Sequence, residues 1–165
     1  MTAAGYDIDQ WADFFVATAG AAAALTGLLF VAISINLTRI LEIPRLPGRA
    51  GATLGVLVAL LITSCFALAP DQSNTALGIE FGVVGALVAV QAVVALGRHR
   101  QDVDTRLHAA YQLVVALIPG IVLTIGGVSL AAGVGGGLFW TLAGVVTGFA
   151  VGVLNAWVLL IEINR

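Results

Sequence analysis

Glu80 is the one acidic residue placed well inside an apolar run, in the stretch TALGIEFGVV. It lies about five residues into that run, roughly 8 Å deep at about 1.5 Å of rise per residue. A carboxylate at such a depth suits three kinds of chemistry: coordination of a cation, relay of a proton, or a ring of acids around an oligomeric pore. It could instead reach the headgroup region, or be held by Thr63 or Ser64. A second polar set falls toward the opposite end of the apolar runs: Asn36, Gln91, His108, Tyr111, Gln112 and Asn155. His108, Tyr111 and Gln112 are spaced i, i+3, i+4 and share one helix face. The set reads either as interhelical hydrogen bonding, at about 0.6–2 kcal/mol per bond, or as a pore or pocket lining with His108 as its titratable member.

Other chemistries find no residues to carry them. The other histidine, His99, sits in an arginine-rich connection, and no carboxylate is spaced to join His108 as a metal ligand. Cys65, in an apolar run, is the single cysteine, so no intramolecular disulfide is possible and the paired-cysteine metal motifs are absent. No Asp/His or Ser/Lys arrangement suggests a catalytic centre. The GVGGG link at 133–137 lacks the Lys-Ser/Thr that would follow in a phosphate loop. The expectation is a non-enzymatic protein with no metal and no cofactor. A net charge of −2 gives no reason to expect nucleic acid as a partner.

The elements that position these residues follow from composition. Of the 165 residues, 60% are hydrophobic and 10% charged, and the mean hydropathy is +1.07. Soluble domains carry about 25% charged residues, so the chain reads as a polytopic membrane protein whose partner is the lipid bilayer. Five apolar segments, at about 12–40, 50–69, 75–97, 106–132 and 137–161, each reach the roughly 20 residues needed to cross a bilayer. They predict an all-α, single-domain bundle over 1–165. The acidic start of the chain lacks the basic region of a cleavable signal, so the first helix is expected to be retained. Pro44, Pro47-Gly48, Pro70-Asp71, Gly97 and GVGGG mark the breaks, and Pro119 is expected to kink the fourth span.

All seven basic residues are arginine: 39, 45, 49, 98, 100, 106 and 165. With five spans they fall on one side of the membrane. Cytoplasmic loops carry the excess of basic residues, which predicts the N-terminus outside and the C-terminus inside. Trp11 and Trp140 then sit at outer ends and Trp157 near an inner one, where amphipathic rings anchor.

Small residues recur every fourth position: Gly144, Gly148 and Gly152 in the fifth span, Gly51 and Gly55 in the second, Gly78 and Gly82 in the third, and Gly27 after Ala19 and Ala23 in the first. Lipid tails are as apolar as leucine, so helices associate in a bilayer through close approach, which such ridges permit. The ridges could be used within one bundle or could face another copy or another membrane subunit.

The stretch LTGLLFVAISINL (25–37) with PRLPGRA (44–50), within the first half of the chain, resembles a family of short, uncharacterised bacterial polytopic membrane proteins. The resemblance implies a multi-pass location in the bacterial plasma membrane and no established activity. The expected role is a homo-oligomeric or partner-bound helical module packed through Gly/Ala ridges. The alternative is an ion or small-solute channel or transporter, with Glu80 and the inner polar set along the path.

Overall fold

The structure, a computed structural model, describes residues 4–44, 46–97 and 106–163, with the side chains of 96–97, 106–113 and 163 outside that description. Two short 3-10 turns, Ala4–Tyr6 and Ile8–Trp11, lead into α1 (Ala12–Ile35), α2 (Leu37–Glu42), α3 (Leu46–Ala67), α4 (Asn74–Gly97), α5 (Arg106–Ala132) and α6 (Leu138–Ile163). The described residues are all helix and connection, and five helices are long and apolar enough to cross a membrane.

Two boundaries differ from expectation near the first connection. The apolar run 12–40 is not one helix, because α1 stops at Asn36 and α2 restarts after it. The Asn36 amide donates to the carbonyl of Ala32 at 2.9 Å, in competition with the backbone ladder, and the residue leaves helical geometry at φ −105°, ψ 17°. The second span starts at Leu46 rather than near 50, so Pro47 and Gly48 lie in its first turn. Proline is tolerated there because the first helical N–H groups have no partner in any case. Helix α5 continues through Pro119.

Packing divides the helices into a closed set and an outlier. α3 packs on α4, α4 on α5, α5 on α6, and α6 back on α3, which closes a four-helix ring. α1 leans on α3 from outside and barely touches α6. Accordingly only 17% of its span is buried within the molecule, against 50% for α3.

The hydrophobic clusters fix which ends lie together. At one end Phe15, Ala67, Leu77, Phe81, Leu130 and Leu138 pack with Tyr6 and Trp11. At the other, Leu29, Ile40, Leu46, Ala50, Leu57 and Leu159 do so. Successive long helices therefore alternate in direction. The second of these ends is closed by an ion pair, Arg49 Nη1 to Glu162 Oε1 at 2.6 Å, which joins the start of α3 to the end of α6.

Candidate functional site

The closest helix contact is made by glycines on α4 and α5. A Cβ on Gly78 would come within 2.5 Å of the Gly127 carbonyl oxygen, and one on Gly85 within 2.7 Å of the Gly120 carbonyl oxygen. One on Gly120 would meet the Ala89 amide nitrogen at 2.7 Å. Backbone lies against backbone from Gly78 to Ala89 of α4, so side chains larger than hydrogen are excluded at these positions. Gly85, Gly120 and Gly127 were outside the ridges read from the sequence. Their signal is the seven-residue repeat of Gly78/Gly85 and Gly120/Gly127, which keeps small residues on one seam of a packed helix pair.

The α6 glycines face inward around the ring. A Cβ on Gly144 would meet Leu123 of α5 at 3.2 Å, and those on Gly148 and Gly152 would meet Leu60 and Leu57 of α3, each at 3.0 Å. Gly55 makes room for the Gln91 side chain, whose Cδ lies 2.6 Å from where its Cβ would be. Gly82 has open space at its own Cβ position, although its backbone is what Gly127 packs against. Gly27 and Gly51 are exposed, with nothing within 4 Å, and so is Gly20.

The inner polar set is only partly joined. Gln91 donates from Nε2 to the Gly51 carbonyl at 3.0 Å, tying α4 to α3. Asn36 is satisfied within its own chain turn at Ala32, and Asn155 is half-buried on α6. His108, Tyr111 and Gln112 are on the first turns of α5, and their side chains lie outside the described residues.

At the opposite end, Thr63 and Ser64 do not hold Glu80. Their hydroxyls donate to the Ala59 and Leu60 carbonyls one turn back, at 2.8 and 2.9 Å. Gln72, in the turn before α4, folds over the helix start and donates to Glu80 Oε1 at 3.3 Å. Glu80 Oε2 and Gln72 Oε1 are both buried with no partner. Two acceptors, one of them on an acid, thus sit together without a donor, an arrangement that costs free energy in a dry environment. Nothing in the spacing of Gln72 and Glu80, eight apart across a helix start, announces the pair.

The same end carries a built junction. Tyr6 Oη accepts from the Gly136 N–H at 2.8 Å, the Asn74 amide donates to the Tyr6 carbonyl at 2.8 Å, and Trp140 Nε1 donates to the Gly135 carbonyl at 2.8 Å. Ser129 Oγ donates to the Val134 carbonyl and accepts from the Gly137 N–H at 2.9 Å. Gly135 and Gly136 have φ of +85° and +110°, which side-chain-bearing residues rarely adopt. The 133–137 link is thus held by side chains from both flanks instead of being a loose tether. Among the described residues no group of three His, Cys, Asp or Glu side chains is arranged to hold a metal ion.

No protein-family model matches the chain, and no curated protein or solved structure shows significant similarity to it.

Proposed function

We propose that the chain is a non-enzymatic integral membrane module of the bacterial plasma membrane, N-terminus outside and C-terminus inside, which assembles with a second copy or another membrane subunit through α1. The observation that supports this reading most directly is the position of α1. It stands outside the closed ring, and on the side away from α3 it presents Gly20, Ala24, Gly27 and Val31, all exposed. Most glycines of α4, α5 and α6 are in contact inside the ring, whereas Gly20 and Gly27, like Gly51 at the start of α3, meet nothing within 4 Å, and on α1 the open glycines continue into Ala24 and Val31. Small residues on a lipid-facing side admit close approach by another helix. The orientation rests on the arginines, all of which flank helix ends on one side.

The test is the double substitution Gly20→Leu and Gly27→Leu, read by chemical cross-linking in native membranes. Cross-linked species should fall about tenfold while helix content and heat resistance of the single chain persist. Cross-linking unchanged by both leucines contradicts assembly through α1.

A second reading, an ion or small-solute channel or transporter, is favoured by one observation: the partnerless, buried Oε2 of Glu80. Intramembrane acids mark ion paths in many membrane proteins. Under this reading Glu80→Gln alters ion flux or selectivity in liposomes without changing assembly; flux identical to the unmodified protein contradicts it.

A further inference from the structure

Glu80 and Gln72 bring their acceptor oxygens together at the end of the bundle away from the Arg49–Glu162 pair, and only Glu80 Oε1 has a donor. That donor, Gln72 Nε2, stands 3.3 Å away, beyond the usual range of an N–H···O bond. Glu80 is the seventh residue of α4, past the first turn in which the helix dipole would stabilise a carboxylate. The hydroxyls of Thr63 and Ser64 on α3 are spent on carbonyls of their own helix.

The helices hold no base that could supply what is missing. Residues 1–38, 50–97 and 109–164 contain no arginine, lysine or histidine. Every basic side chain therefore belongs to the helix ends and connections on the other side of the bundle. Around the pair the charges are all acidic. Asp9, Asp13 and Asp71 are exposed at the same end, and Asp71 precedes Gln72 directly in the chain. A surface of one sign raises the local concentration of counter-ions.

We propose that Glu80 and Gln72 form a site for one monovalent metal cation, entered from the acidic side of the membrane. The proposal rests on the second reading above in taking Glu80 to meet ions, and it adds the ligand class and the second ligand. Carboxylate and amide oxygens are hard donors, suited to hard cations. One carboxylate balances one positive charge. Among the described residues no three His, Cys, Asp or Glu side chains are grouped, so a divalent ion lacks the several carboxylates it draws on. A cation held by Glu80 Oε2 and Gln72 Oε1 gives both buried acceptors a partner and offsets the cost of a buried, unpaired charge.

The test is equilibrium binding of sodium-22 and rubidium-86 to the full chain in nanodiscs of neutral lipid. At least one of the two ions should bind saturably, one per chain, and resist displacement by an equal concentration of choline. Glu80→Gln should abolish binding and Gln72→Ala should weaken it about tenfold. Asp9→Asn, at the exposed surface, should weaken it by about twofold or less, and only at low salt. Absence of saturable binding to the unmodified protein, displacement by choline, or binding undiminished in Glu80→Gln overturns the proposal; the first two need no variant. Flux in liposomes separates the site from the channel. Binding without flux leaves the site standing and contradicts transport, whereas flux that depends on Glu80 without saturable binding supports transport and contradicts the site.

Discussion

At the residue scale the molecule depends on glycines whose missing side chain is occupied by backbone. Gly127 is such a position, because a Cβ there would lie 2.5 Å from the Gly78 carbonyl oxygen. Neither backbone can rotate out of the way, unlike the Leu60 side chain opposite Gly148. Gly127→Leu should therefore separate α4 from α5, cost more than the about 1–3 kcal/mol typical of overpacking, and lower the unfolding temperature. Gly51→Leu, in open space and away from the face proposed for assembly, should leave it unchanged; equal effects in a thermal unfolding comparison would contradict the packing described. Tyr6→Phe makes a smaller prediction. It removes the acceptor of the Gly136 N–H, and a half-buried donor left without a partner costs up to about 1–3 kcal/mol. The loss should appear as faster amide exchange at 136–137, and exchange equal to the unmodified protein would contradict that contact. Residue identity made Glu80 conspicuous in the sequence, but Gln72 was not, because only the fold of the 70–73 turn carries it to the carboxylate.

At the element scale, length and apolarity alone were enough to locate five spanning helices, since each exceeds what a bilayer requires. The break at Asn36 was hidden for a physical reason. The residues on both sides are apolar and helix-permissive, and the interruption comes from one side-chain amide competing for the Ala32 carbonyl. Replacing Asn36 by leucine removes that competitor and should merge α1 with α2, which is measurable as increased helix content and protection of the 36–37 amides; unchanged protection contradicts the role given to the amide. Short connections already make consecutive spans antiparallel neighbours, as they are here, but the closing contact of α6 on α3 was beyond the sequence. Gly144, Gly148 and Gly152 show that α6 has a smooth face, but not that it meets α5 at one point and α3 at two others. The alternation of helix directions, combined with the arginine bias, makes a topological prediction. A fluorescent protein fused after Arg165 should mature in the cytoplasm, and alkaline phosphatase fused there should be inactive. The reverse pattern would invert the proposed orientation.

At the scale of the whole molecule, four helices close on themselves and one remains outside. The ring is tied from within: the glycine seams of α4 and α5 meet each other, the α6 glycines meet leucines of α5 and α3, Gln91 ties α4 to α3, and Arg49–Glu162 ties α3 to α6. α1 contributes least to that core and exposes most to lipid, with Leu28 at 68% and Ile35 at 79% exposure. Lipid covers such a surface without penalty, so hydrophobic exposure does not by itself demand a protein partner. What distinguishes α1 is the run of small residues centred on Gly20 and Gly27, for which the ring has no use. The measurement that tests this account most directly is the native mass of the protein extracted into lipid nanodiscs from its own membrane. The account predicts a stoichiometric particle heavier than the 16.8 kDa chain, either a closed set of copies or a complex with another subunit, which falls to the single chain when Gly20 and Gly27 are both leucine. A single chain in the unmodified protein, carrying only lipid, would contradict it.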